Sequence, residues 1–297
     1  MPELPEVQTV VNDLQKLAGD TITGFWTNWK RAFNPMSAAL LEKKIKGKKI
    51  VAVKRLSKFI VLDLSSKESL LLHLRMTGKL IVNEQQTINN NQQNVKQKSD
   101  KEVLEAKSYE LKANHKHLHH IFYLKKHGAL EFHDIRKFGT IDIRPTSEIV
   151  PKKFKLGIDP FDKNFSAKYF ARMIQSRPKK PIKDLLLDQG LISGIGNIYA
   201  SEILFDCKIL PNRKALSLSG DEIKKLHESV KKILKKAIRM RGTSISDYRD
   251  GNGKKGSFQK VLKVYKKHGQ ECVKCGTIIA KSIIGQRSTF YCPACQK

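Results

Sequence analysis

Val7, Val10, Val11, Leu14 and Leu17 recur at the spacing of one helical face. Residues Pro5 to Leu17 therefore predict a helix, and Pro5 suits its first turn because proline fixes φ and needs no donor there. Short apolar runs follow at Ile50-Val51-Ala52-Val53, Phe59-Ile60-Val61-Leu62 and Leu70-Leu71-Leu72-His73-Leu74, with more at 118–124, 129–133 and 139–143. Many short runs with no helical period between them predict an antiparallel sandwich or barrel. After about residue 150 the period turns helical, with candidates at Phe165–Gln175, Ile182–Gln189, Asn197–Phe205 and Asp221–Met240. In the last, Ile223, Leu226, Val230, Ile233, Leu234 and Ala237 form an amphipathic face.

Two stretches break the pattern. Nine of the 13 residues from Gln85 to Gln97 are Asn or Gln, so 83–107 reads as a disordered insertion between strands, dispensable for chemistry. Residues 241–261 contain Gly242, Gly251, Gly253 and Gly256 among polar residues. That is long for a simple connection and predicts a mobile loop, either a lid over a ligand or plain disorder.

A chain of 297 residues can hold two domains and a sizeable core. No run of 18 apolar residues predicts a membrane span. The start lacks the basic and apolar regions of a signal peptide, which predicts a cytoplasmic location. Charge narrows the partner. Lys plus Arg number 57 against 28 Asp plus Glu, a formal +29. Such a field attracts polyanions, nucleic acid first and an anionic membrane surface second. A lysine-favouring AT-rich genome accounts for part of that excess, not for the scarcity of acids.

Cys272, Cys275, Cys292 and Cys295 form a C-x2-C-x16-C-x2-C pattern. Two such knuckles converge on one tetrahedral Zn²⁺, and four thiolates leave no position for water, so the metal is structural. An intracellular chain argues against disulfides here. Cys207 stands apart in an apolar helical context and reads as a core thiol. Between the knuckles, Thr277–Ile284 and Ser288–Tyr291 predict two strands around Gly285-Gln286-Arg287. Arg287 then sits at a rigid tip, suited to a DNA groove or phosphate, or is an ordinary solvated arginine. Gly194-Ile195-Gly196-Asn197 has no strand before it and no third glycine in register, so it is not a dinucleotide fingerprint. It predicts a tight turn between helices with Asn197 capping the second, serving either as a phosphate site or as structure alone.

The start Pro2-Glu3-Leu4-Pro5-Glu6, the segment Gly-Ile-Gly-Asn-Ile-Tyr-Ala-Ser-Glu at 194–202 and the cysteine hairpin occur in one order. Together they closely resemble bacterial formamidopyrimidine-DNA glycosylases, over nearly the whole chain apart from the Asn/Gln-rich insertion. The resemblance implies an α+β fold. An N-terminal antiparallel β-sandwich with flanking helices would span 1–150, a helix-two-turn-helix domain 151–262 and a zinc-bound hairpin 263–297. It implies a monomer that repairs double-stranded DNA containing oxidised bases or abasic sites, with one structural Zn²⁺ and no nucleotide cofactor or catalytic metal.

The same resemblance implies a mechanism. After loss of Met1, the secondary amine of Pro2 would attack C1′ of the damaged nucleoside. An α-amine titrates near pH ~8, so a useful fraction is neutral and nucleophilic at pH 7. Base release would leave a Schiff base, and β- and δ-elimination would cut the strand. Glu3 matches the general acid and Glu6 a carboxylate that orients the site. Lys58 matches a phosphate-binding lysine that aids β-elimination, and Arg287 the hairpin arginine of δ-elimination. His73-Leu74-Arg75-Met76-Thr77-Gly78 and Asp134-Ile135-Arg136-Lys137-Phe138-Gly139 match the two loops that fill the gap left by an everted base. They map Met76, Arg136 and Phe138 to the wedge, the reader of the orphaned cytosine and the kinking ring. By pattern alone, Met76 and Phe138 would be core residues. Among these matched loops, His73 and Lys137 are further DNA-contact candidates, as are His117, Asn197 and, from Arg177-Pro178-Lys179-Lys180, Lys179 with Arg177 next.

The lesion-loop region 241–261 is only loosely similar, which loosens base preference more than chemistry. An endonuclease VIII-type enzyme for oxidised pyrimidines is the nearest alternative. Leu4, where that branch has glycine, and the Met76/Arg136/Phe138 set oppose it. A non-catalytic zinc-hairpin DNA-binding protein would assign no role to Pro2-Glu3.

Overall fold

The computed structural model describes residues 1–33, 35–84 and 116–297. Apart from Asn83 and Glu84, the expected insertion at 83–107 lies outside the described residues. The chain divides into two compact units. The first gathers Met1–Pro2, Val7–Ile149 and Ile245–Lys255; the second gathers Glu3–Glu6, Val150–Ser244 and Gly256–Lys297. The zinc hairpin and the helices therefore share one unit, and Ile245–Lys255 joins the unit of the sandwich.

The first unit is an antiparallel β-sandwich. Its strands are β1 (Ile22–Thr27), β2 (Ile50–Leu56), β3 (Phe59–Leu64), β4 (Glu68–His73), β5 (Gly78–Asn83), β6 (Leu118–Leu124), β7 (Ala129–Asp134) and β8 (Thr140–Pro145). One sheet has the order β1-β6-β7-β5 and the other β2-β3-β4-β8. β7 and β8 are consecutive yet lie in different sheets, so the chain from Ile135 to Gly139 is a crossover, not a hairpin. Ile60, Leu62, Leu70 and Leu72 pack with Phe122, Leu130 and Phe132 in one core. They alternate along each strand and so share the face that meets the other sheet, while Val61 and Leu71 between them are buried on the opposite face. Helix α1 (Leu4–Leu14) adds Val7, Val10, Val11 and Leu14 to it. A 3-10 turn at Gln15–Leu17 finishes the segment expected to be all α-helix. Helix α2 (Ala38–Ile45), not anticipated, is capped by the Ser37 side chain and buries Leu41 and Ile45.

The second unit has a separate core built on α3 (Ala167–Gln175), α4 (Ile182–Leu187), α5 (Asn197–Asp206) and α6 (Gly220–Arg239). The predicted face of α6 is the buried one. A capping box of Ser219 and Glu222 starts that helix, so two N–H groups at its entry are satisfied reciprocally. Strands β9 (Ala280–Ile284) and β10 (Arg287–Tyr291) form the C-terminal hairpin. Its turn residues Gly285 and Gln286 have φ of 55° and 60°, the positive pair that a two-residue hairpin turn needs. Arg287 is the first residue of β10, beside the turn and paired with Ile284.

Candidate active site

Glu3 is buried, and its carboxylate closes the N-terminus of α5. Oε2 accepts from the N–H of Gly196 at 2.8 Å and of Tyr199 at 3.3 Å, and Oε1 from Ile198 N–H at 2.9 Å. A helix start leaves such N–H groups unpaired and favours negative charge. The anion there is this carboxylate, supplied by the chain itself. That corrects one expectation. Asn197 is the first helical residue, not the cap; the cap is Gly196, whose position has no side-chain cap bond. The amides of Gly196, Ile198 and Tyr199, in a turn read either as a phosphate site or as structure alone, meet Glu3. A Cβ on Gly196 would stand 2.4 Å from Glu3 Cδ, so only glycine admits the carboxylate.

Glu6 lies one helical turn further on and is also buried. Its Oε2 accepts from Glu3 N–H at 2.8 Å. Its Oε1 accepts from Tyr199 O–H at 2.5 Å and from Thr243 N–H at 2.7 Å. Burial first, and the Glu3 charge second, push its carboxyl up to about 7. Gly242 backs it: φ is +75°, and a Cβ would stand 2.8 Å from Glu6 Oε1. The segment expected to be mobile is thus held by its start, and Ser244 Oγ accepts from Gly256 N–H to tie in its far side.

Lys183, unflagged by sequence, is another buried charge in this unit. Its Nζ donates to Thr289 Oγ1 at 2.6 Å and Ser288 O at 3.3 Å. Burial pushes it down to about 8, with Asp184 acting against that and Arg287 adding to it. Asn197 Nδ2 also donates to Ser288 O, at 2.9 Å. Two donors from α4 and α5 therefore hold the carbonyl next to Arg287, and the guanidinium itself is exposed. Arg177 and Lys179 are exposed on the turn after α3 and are not brought to this cluster.

In the first unit, Pro2 is buried behind an exposed Met1. Lys58 is buried in the β2–β3 turn. His73 is buried too, against expectation for a DNA contact. Its Nδ1 accepts from Arg75 N–H at 3.0 Å, and burial, Arg75 and Lys58 together push it down to about 3. It is neutral and offers DNA no cation. Met76 and the Arg136–Phe138 pair, 60 residues apart in sequence, do come together. Arg136 lies 3.1 Å from Met76 Sδ and stacks 4.6 Å above the Phe138 ring. Met76 is 43% exposed and Phe138 48%, so neither is core. Asp134, fully buried, fixes both loops. It accepts from Thr77 O–H, Arg136 N–H, Phe138 N–H and Gly139 N–H, at 2.5, 3.2, 2.8 and 2.7 Å. Lys137, next to the cluster, has φ of 55° and lines a shallow cavity of about 700 Å³ with Met76, Phe138 and Arg75. His117 lines a different groove, of about 720 Å³, with Lys79, Lys116 and Arg249.

The four hairpin cysteines bring their Sγ atoms within 4.8 Å of one another. Three of the separations are 3.4, 3.5 and 3.9 Å. Four sulfurs at about 2.3 Å from a tetrahedral zinc stand roughly 3.8 Å apart, so the residues fit one Zn²⁺. Lys274 N–H and Cys295 N–H point at Cys272 Sγ and Cys292 Sγ, each at 3.4 Å, which suits thiolates. Cys207 ends α5 half-buried, and burial pushes its thiol up to about 12, as a core thiol requires.

Family models match three stretches: "Formamidopyrimidine-DNA glycosylase N-terminal domain" over 1–141, "Formamidopyrimidine-DNA glycosylase H2TH domain" over 156–249, and "Zinc finger found in FPG and IleRS" over 269–297. The chain is 39% identical over 300 residues to the formamidopyrimidine-DNA glycosylase of Carboxydothermus hydrogenoformans, covering all of both chains. It is 37% identical to that of Pelotomaculum thermopropionicum, covering 100% of this chain and 99% of the other. A crystal structure of a Lactococcus lactis FPG mutant in complex with a Fapy-dG containing DNA superposes with a TM-score of 0.83 at 32% identity over the whole of both chains. The Lactococcus lactis Fpg in complex with an abasic site containing DNA gives 0.82 at 32%, over 99% of each.

Proposed function

The chain belongs to the formamidopyrimidine-DNA glycosylase family, and on that premise we propose that it excises oxidised purines from double-stranded DNA, with Pro2 as nucleophile, and then cuts the strand as a lyase. Glu3 carries this reading. It is buried directly after Pro2, and three backbone N–H groups of one helix start hold its carboxylate.

With Met1 removed, the Pro2 amine attacks C1′. The C1′–N bond to the base breaks and the base leaves with the bonding pair and a proton; the Pro2 nitrogen gives up its own proton, and as Glu3 protonates the ring oxygen the C1′–O4′ bond opens. The resulting iminium acidifies the C2′ proton, and β-elimination expels the 3′ phosphate. Lys58 binds phosphate and aids that proton transfer. δ-Elimination then expels the 5′ phosphate, with Arg287 gripping it. The clustering of Met76, Arg136 and Phe138 on two loops tied to Asp134 supports their joint insertion where a base has left the stack. His117, Lys137, Lys179, Arg177 and Asn197 are DNA-contact candidates, and the excess of 29 positive charges supports binding to a polyanion. The zinc, held by Cys272, Cys275, Cys292 and Cys295, keeps the hairpin folded and takes no part in bond breaking.

Borohydride trapping on a duplex with 8-oxoguanine opposite cytosine tests this. A cross-link mapped to Pro2, lost in Pro2→Gly, is the expected result. Binding without an adduct would leave a DNA-binding protein; adducts on oxidised pyrimidines alone would indicate an endonuclease VIII-type preference.

A further inference from the structure

Tyr199 is fully buried, yet its hydroxyl has two polar partners and nothing in the proposed chemistry uses it. It donates to Glu6 Oε1 at 2.5 Å, and Thr243 Oγ1 stands 2.9 Å away on its other side. Thr243 N–H meets the same Glu6 oxygen at 2.7 Å. The other Glu6 oxygen takes the N–H of Glu3, the peptide group that links Glu3 to Pro2. A carboxylate so placed has one donor per contact: a tyrosine, a loop amide and the amide next to the nucleophile.

We propose that Tyr199 is a positioning residue: its hydroxyl joins Glu6 to Thr243 and thereby sets the placement of the Pro2–Glu3 peptide. The proposal rests on the reading that Pro2 is the nucleophile. The ring alone would pack without a hydroxyl, since its neighbour on one side is Phe258, 5.5 Å centre to centre. The hydroxyl gives the cluster a reversible proton path. With Glu6 ionised, Tyr199 donates to it and accepts from the Thr243 hydroxyl. With Glu6 protonated, the carboxyl O–H donates to Tyr199, whose own proton turns to Thr243. No bond to heavy atoms changes, and one proton is taken from solvent. Glu3 and Tyr199 are ionisable groups that face Glu6, and Lys183 acts on Glu3 from α4. Gly242 lies against Glu6, and Phe258 packs on the Tyr199 ring.

The test is the full-length Tyr199→Phe variant with its zinc, followed by the pH dependence of borohydride trapping on abasic duplex. Losing a donor to Glu6 shifts its titration upward. The rise of trapping with pH should therefore move up by about one unit, about a tenfold change in the proton affinity of Glu6. Thr243→Val, which keeps the Thr243 amide but removes its hydroxyl, should move it the same way by less. Hydrogen exchange of the peptide 241–257 should rise in both. Wild-type trapping with an unchanged profile in both variants would overturn the inference and leave the proposed function standing. If the wild type forms no adduct, the proposed function fails instead; unchanged exchange at 241–257 would then overturn the Tyr199 role as well.

Discussion

Keeping Glu6 buried sets a stability that depends on pH. Its ordinary value is near 4.5 and its folded value about 7, so between these the folded chain binds one proton more than the unfolded chain. The contribution is fully present below about pH 4.5 and is lost as pH rises through 7, a fall of about 3 kcal/mol. Glu6→Gln cannot titrate. Urea midpoints at pH 5 and pH 8 should therefore drop further for the wild type than for the variant, and equal drops would contradict the burial argument. Gly196→Ala puts a methyl group into the Glu3 carboxylate. Overpacking of that kind costs about 1–3 kcal/mol. The larger effect should be on chemistry: trapping should fall at least as far as in Glu3→Gln, whereas Gly220→Ala, with open space around it, should leave trapping intact.

Two small elements hold the candidate contacts in place, and each has a distinct weakness. The hairpin pairs only five residues per strand, and its buried cluster is small: Val264, Cys272, Ile279, Phe290 and Cys292 with Phe205 of α5. Two strands with so little core are marginal alone. Chelating the zinc should raise hydrogen exchange across 269–297 and weaken DNA binding through Arg287. Exchange in β3, β4 and β6 should stay slow; parallel loss there would show that zinc supports the whole fold. The loops around Met76 and Phe138 depend on one carboxylate instead. Asp134→Ala strands four donors in or near a buried site, at a cost of about 3 kcal/mol, and should weaken binding to abasic duplex more than Lys179→Ala does. These elements also mark how far the sequence could be read. The apolar periods of α1, α6 and most strands are strong, and the cysteine spacing alone names the metal. β1 carries Gly24 and a bulge, β5 opens on a glycine, and α2 has one buried turn's worth of apolar residues, so none stands out against its flanks. His73 sits in a motif that resembles a DNA-contact loop, but its exposure is set by Phe59 and Lys58, which no spacing encodes.

At the scale of the molecule, charge and connectivity matter most. A formal +29 makes non-specific DNA binding steeply salt-dependent, with a slope of about −0.9 per phosphate neutralised. Removing Lys179 or Arg177 should flatten that slope by roughly one if each meets a phosphate; an unchanged slope would remove them from the interface. The site itself was legible only by resemblance. Glu3 and Glu6 find their partners near 196–199 and 243 through backbone N–H groups, which have no residue signature. Thr243 and Lys183 act on other residues and leave no motif of their own, while Tyr199 and Asp134 stand in quoted motifs whose spacing does not say what they hold.

The second unit incorporates Glu3–Glu6, and that has a consequence for how the protein is made. A ribosome adds about 5–20 residues per second. These four residues emerge first, while the amides of 196–199 and 243 arrive at least roughly 10 s later at those speeds. Until then the amino terminus has no pocket to enter. An enzyme that removes Met1 during synthesis therefore works on an open, unfolded end, before Pro2 through Val7 are buried. A molecule that folded before that trimming would present an exposed Met1 joined to a buried Pro2, so the cut bond would lie at the edge of the packed fold and not on a free end.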